Sequence, residues 1–91
     1  KVNGNQRYAT SARGLAHIRS VAESNHIPLQ TFASRNNVPC GSTIGPITAT
    51  QLGIEAIDIG IPQLSMHSAR EMCGANDPLH MVSLMGAFLL R

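Results

Sequence analysis

The spacing of apolar residues divides the chain into alternating helical and extended stretches. Ala12, Leu15, Ile18, Val21 and Ala22 recur every three or four positions, the period of one helical face. Thr10 or Ser11, just ahead of them, can cap the free amides of the first turn. Residues 25–28 end this helix, because the Pro28 ring cannot continue the backbone ladder. A second helix is predicted after Ser42, a good N-cap, with Pro46 confined to the first turn. Ile44, Ile47 and Gln51 share one of its faces, and Gly53 reads as its left-handed closing residue. Asp77 and Pro78 supply an N-cap and a first-turn proline for a third helix, with Leu79, Val82, Met85, Gly86 and Leu89 expected to face inward.

Extended stretches fall between these helices. Residues 1–3 read as the end of a strand, followed by a turn through Gly4 and Asn5. Residues 29–34 alternate as a short strand, and a loop with Asn36, Asn37 and Pro39 follows. Residues 54–59 are the clearest strand: Ile54, Ala56, Ile57 and Ile59 make it apolar on both faces, as in a strand covered by helices on either side. Gly60, Ile61 and Pro62 break it, and a helical turn is expected from Ser68. Strand and helix thus alternate three times, which predicts an α/β class with a layered sheet and helices on both faces. In open α/β sheets, sites form beyond the carboxyl ends of the strands. The segment after residue 59, with Met66-His67-Ser68, is such a place.

Composition narrows the function. Ninety-one residues allow one domain at most, and 43% apolar content excludes a disordered tail. Only Tyr8, Phe32 and Phe88 are aromatic, so the core is aliphatic. No stretch approaches the roughly 20 apolar residues of a membrane helix. The net charge is +2, and Arg7, Arg13, Arg19, Arg35, Arg70 and Arg91 are scattered. With neither a basic stripe nor stacking aromatics, a nucleic-acid surface is not expected. Cys40 and Cys73 form no CxxC clip and read as free thiols of a reducing cytoplasm. The opening at Lys1 suggests a piece of a longer or processed chain.

His67 is the leading candidate for chemistry, because an imidazole on a loop after a buried strand can be aimed rigidly at a metal. By spacing alone, such a histidine is more often a hydrogen-bonded structural residue. His17, His26 and His80 read as surface histidines. Glu23, Glu55, Asp58, Glu71 and Asp77 form no dense ligand cluster, although Asp58 or Glu71 could orient the His67 ring. The plainer alternatives are a strand-end hydrogen bond for Asp58 and a surface pair with Arg70 for Glu71. Cys40 before a helix raises a thiol-enzyme alternative with His67 as base, but a small buried thiol is commoner. The stretch from Gly41 to Gly45 could cradle an anion, yet it lacks the GK[ST] ending of a phosphate loop.

Several motifs in order point further: Lys1-Val2-Asn3, Gln6-Arg7-Tyr8-Ala9, then Pro39-Cys40-Gly41-Ser42-Thr43-Ile44-Gly45-Pro46-Ile47, then Asp58-Ile59-Gly60 leading to Met66-His67-Ser68 and Arg70-Glu71-Met72. Together they resemble the C-terminal part of the aspartyl aminopeptidase family across nearly the whole chain. The resemblance implies a cytoplasmic, dinuclear zinc metallopeptidase that removes N-terminal aspartate or glutamate from peptides and assembles into homo-oligomers. It implies two Zn2+ ions per active site, bridged by an aspartate, with a glutamate as general base. It implies that His67 ligates one zinc and that Lys1 and Tyr8 contact substrate. Residues 1–91 would then be the C-terminal part of a metallopeptidase catalytic domain, an incomplete domain, because the family's other ligands precede the Lys-Val-Asn motif. Such a piece is expected to be inactive alone. The alternative is a non-catalytic assembly module, docking on a partner through Met72, Met81, Met85 and Phe88.

Overall fold

A computed structural model of the chain describes residues 1–2, 8–39, 41 and 43–90. The first helix, α1, spans Ala12–Ser24. Ser11 precedes it in an extended conformation, and its Oγ accepts a hydrogen bond from the Gly14 amide at 3.0 Å. That bond satisfies one of the amides a helix start leaves open. The helix closes where the Ile27 amide returns to the Ala22 carbonyl at 2.9 Å. Helix α2, Ile44–Leu52, is closed by Gly53 at φ 62°, the left-handed position the sequence assigned to it. Helix α3, Asp77–Leu89, carries Pro78 in its first turn, where no amide hydrogen is required.

The core is small and lies between α1 and α3. Ile18, Val21 and Ala22 of α1 pack on Leu84 of α3, with Leu15, Ile27, Ile57, Ile59 and Ala87 half-buried around them. The inward face of α3 differs from the predicted one. Leu79, Val82 and Leu89 are 66%, 69% and 72% exposed, whereas Leu84 is 4% exposed. The physical reason lies in the helix itself: from Leu79 to Leu89 it is apolar on nearly every side, so periodicity cannot single out the buried face. Helix α2 buries none of its residues.

The layered α/β sheet with helices on both faces is not what forms. Among the described residues there are three helices, no strand and no sheet. The extended segments meet only in isolated bridges, parallel at Val2 with Ala33 and at Thr10 with Ala56, and antiparallel at Leu64 with Met72. A strand needs successive ladder bonds, and residue 58 makes at most one of them. Its amide donates to the Thr10 hydroxyl, and its carbonyl accepts from the Lys1 nitrogen. An apolar run records burial; it does not name the hydrogen-bond partner. The expected turn at Gly4 and Asn5, the Ser42 cap and Cys40 lie outside the described residues. Among those described, no helix is long and apolar enough to cross a membrane.

The facing of α3 is testable in the 91-residue chain by urea unfolding followed by circular dichroism. Leu84→Ala should cost about 2–4 kcal/mol, or abolish cooperative unfolding outright. Leu79→Ala, on the exposed side, should change stability by less than about 0.5 kcal/mol.

Candidate functional site

Asp58 gathers three stretches that are far apart in sequence. Its carbonyl accepts from the Lys1 backbone nitrogen at 2.9 Å, and its Oδ2 accepts from the Ala9 amide at 2.5 Å. Its own amide donates to Thr10 Oγ1 at 2.8 Å. The neighbouring bridge adds the Val2 amide on the Phe32 carbonyl at 2.8 Å and the Ser34 amide on the Val2 carbonyl at 3.0 Å. The other face of the Asp58 carboxylate lies against the first turn of α2, where a Cβ on Gly45 would stand 2.6 Å from Oδ1. Only glycine permits that approach. A carboxylate there also sits at the end of the helix whose dipole favours an anion.

This scaffold brings Lys1 and Tyr8 together. The Lys1 ammonium lies 5.8 Å from the centroid of the Tyr8 ring, within cation–π range. Tyr8 in turn meets Phe32 edge-on at 6.4 Å. The Lys1 side chain runs past Gly60, where a Cβ would stand 3.1 Å from Cε and 3.2 Å from Nζ.

His67 is held on a separate loop. Leu64 and Met72 close its base with reciprocal backbone bonds of 2.8 and 3.1 Å. Within it, Ser65 and His67 take left-handed conformations at φ 56° and 69°. For a residue with a Cβ this costs on the order of 1 kcal/mol and must be held by its surroundings. The holding contacts are visible. The Glu71 carboxylate accepts from the His67 amide, the Ser68 amide returns to the Ser65 carbonyl, and Ser68 Oγ caps the Arg70 amide. Glu71 therefore fixes the backbone that carries the imidazole. The sequence had suggested the ring itself or Arg70 as its partner.

The remaining candidates play other parts. The ring of His17 meets Phe88 edge-on at 5.7 Å, and His80 Nδ1 lies 3.8 Å from Asp77. Glu55 receives the Ser11 hydroxyl and faces Arg13 at 3.8 Å. Cys73 is free and exposed. Among the described residues, no three His, Cys, Asp or Glu side chains lie close enough to hold a metal ion. His67 fits zinc chemistry only as a single exposed imidazole donor, to be joined by donors from elsewhere. Gly45, Gly60 and Ala9 stood in the sequence only as parts of motifs, a possible anion loop and a strand break; the contacts they make are with neighbours distant in the chain.

Comparison with known proteins places the chain. The profile of the family described as Aminopeptidase I zinc metalloprotease (M18) matches residues 1–89. A probable M18 family aminopeptidase 2 of Streptomyces coelicolor is 55% identical over 89 residues, which are 98% of this chain and 21% of that protein. A probable M18 family aminopeptidase 2 of Stutzerimonas stutzeri is 51% identical over 88 residues, 97% of this chain and 20% of that one. The chain thus spans about one fifth of the length of these curated relatives. Among solved structures, a crystal structure of prApe1 superposes with a TM-score of 0.91 at 38% identity, over 99% of this chain and 19% of that one. The cryo-EM structure of the Ape4 and Nbr1 complex gives 0.88 at 48% identity, over 96% and 17%.

The role of Glu71 can be read without any metal. Glu71→Ala should speed hydrogen exchange at the His67 amide by roughly tenfold, the factor expected for losing about 1.4 kcal/mol of a hydrogen bond to a charged acceptor.

Proposed function

The chain belongs to the M18 family of aminopeptidase zinc metalloproteases, and from that premise we propose that it forms part of an enzyme removing N-terminal aspartate or glutamate from peptides. The observation that carries the acidic specificity is the Lys1 ammonium, presented beside the Tyr8 ring on backbone pinned by Asp58. A fixed ammonium forms charge-assisted hydrogen bonds with a carboxylate side chain, and these exceed neutral ones in strength. The Tyr8 hydroxyl would donate to the oxygen on which charge develops as water adds to the scissile carbonyl. The carbon–nitrogen bond then breaks, and the departing amine takes up a proton.

His67 would contribute one ring nitrogen to zinc. Its loop is suited to the task, because the Glu71 and Ser68 contacts hold the backbone that aims it. When bound, zinc supplies Lewis-acid polarisation of the carbonyl and acidifies water. A lone imidazole does not make such a centre, so the 91-residue chain by itself is expected to be inactive. The parent enzyme would act in the cytoplasm as a homo-oligomer, with the exposed apolar residues of α3 available for contact between subunits.

A second reading, a non-catalytic assembly module, draws on the exposure of Met72, Met85 and Phe88, which are 60%, 42% and 36% accessible. Two variants of a full-length protein carrying this segment decide between the readings. His67→Ala should lower bound zinc and reduce hydrolysis of N-terminal aspartyl peptides by at least about a hundredfold. Lys1→Ala should reduce kcat/KM for those peptides by roughly 10–100-fold, with a smaller loss on neutral N-termini. Unchanged zinc content and unchanged hydrolysis in His67→Ala would leave only the assembly reading standing.

A further inference from the structure

The substrate reading above concerns Lys1 and Tyr8; what sets their positions is a different question, and its answer lies in two residues that touch no substrate in that reading. We infer that Gly60 and Asp58 are positioning residues for acidic-substrate recognition, Gly60 by leaving the gap through which the Lys1 side chain runs and Asp58 by anchoring the backbone at both ends of the Lys1–Tyr8 pair. This inference rests on the proposed role of Lys1 and adds to it the determinants of its geometry.

The argument begins with space. The Lys1 methylene Cε and ammonium Nζ lie where a Cβ on Gly60 would be 3.1 and 3.2 Å away, tighter than ordinary van der Waals contact. On the other side stands the Tyr8 ring, 5.8 Å from Nζ. The ammonium thus lies between a bare backbone and an aromatic face, on a residue that stays exposed to solvent. A lysine side chain otherwise samples many rotamers, and ordering it costs up to about 2 kcal/mol of conformational entropy. Confinement in advance of binding removes part of that cost from the recognition of a carboxylate. An added methyl at residue 60 would meet only the far end of a flexible side chain, so the lysine would yield and the backbone would not.

Asp58 provides the fixed frame. Its carbonyl holds the Lys1 nitrogen, its carboxylate holds the Ala9 amide next to Tyr8, and its amide takes the Thr10 hydroxyl. One residue therefore sets the spacing of the lysine and the tyrosine, two residues before the glycine that shapes the gap. The carboxylate itself is confined by Gly45. It serves as an acceptor within the protein, with the Ala9 amide as a described donor.

The test uses the full-length, zinc-loaded protein carrying this segment, with peptides beginning in aspartate and in alanine. Gly60→Ala should raise KM for the aspartyl peptide by roughly three- to tenfold, with kcat changed by less than about twofold, because the lysine shifts by only a few tenths of an ångström. Its zinc content should stay at the parent level and its Tm within about 2 °C. In a Lys1→Ala background the same substitution should have no further effect, since the group it displaces is gone. Asp58→Ala should lower the aspartyl-over-alanyl preference by about tenfold, while Asp58→Asn, which keeps an oxygen for the Ala9 amide, should recover most of it. A Gly60→Ala effect that persists undiminished without the lysine, or falls equally on both peptides, overturns the inference and leaves the substrate role of Lys1 intact. If Lys1→Ala alone leaves the aspartyl preference unchanged, the underlying substrate reading fails, and the positioning inference with it.

Discussion

The carboxylate of Asp58 and the peptide groups beside it hold in place what apolar burial leaves loose. Only Ile18, Val21, Ala22 and Leu84 are buried among the apolar side chains described, and they join α1 to α3. The hydrophobic effect therefore accounts for one helix pair, while the loops that carry the candidate chemistry depend on polar bonds. A single neutral hydrogen bond contributes about 1 kcal/mol net, and one to a charged acceptor about 1.5–3 kcal/mol. Half-burial of Asp58 strengthens such a bond by thinning the water around it. Three contacts converging on one residue over separations of 48, 49 and 57 positions thus fix a local geometry that the small core could not.

The helices were legible because their signals are local. Ser11 caps α1, Pro78 opens α3 and Gly53 closes α2, each through chemistry confined to a single turn. The sheet was misread because its signal is not local. Residues 54–59 are apolar as the pattern demanded, but the amide of Asp58 pairs with a hydroxyl and only its carbonyl takes a backbone nitrogen, that of Lys1, so no ladder follows. The facing of α3 failed for a related reason. A helix apolar on nearly all sides has no periodic minimum to mark its outer surface, so tertiary packing alone chose Leu84 over Leu79.

At the candidate site, motif resemblance and physical reading divided the work. His67, Lys1 and Tyr8 stood out through the Met-His-Ser, Lys-Val-Asn and Gln-Arg-Tyr motifs, whereas spacing alone favoured a structural histidine at His67. Asp58 was noted for lying in the predicted strand that leads to His67, and a strand-end hydrogen bond was the plainer reading of it. Glu71 was noticed for its distance from His67, and its true partner, the His67 amide, was not. The glycines could not have been found, because what a missing Cβ makes room for is decided by folding. Gly45 admits the Asp58 carboxylate and Gly60 admits Lys1, and neither neighbour is near in sequence.

The two parts of the site differ in how they depend on the rest of the molecule. The His67 loop closes on itself: Leu64 to Met72, Ser65 to Ser68 and His67 to Glu71 are all contacts within nine residues. Its left-handed residues are stabilised locally and need little from the core. The Lys1–Tyr8 pair is set by bonds that span most of the chain, so its geometry persists only while the tertiary fold does. Loosening the contact between α1 and α3 should therefore disturb the proposed recognition of substrate before it disturbs the aim of the proposed zinc ligand. The superposition with prApe1, a TM-score of 0.91 at 38% identity, shows the same backbone path kept by a chain of divergent sequence. What such a path must keep, beyond its peptide groups, is the few polar side chains that bond to them: Asp58 and Thr10 at one part of the site, Glu71 and Ser68 at the other.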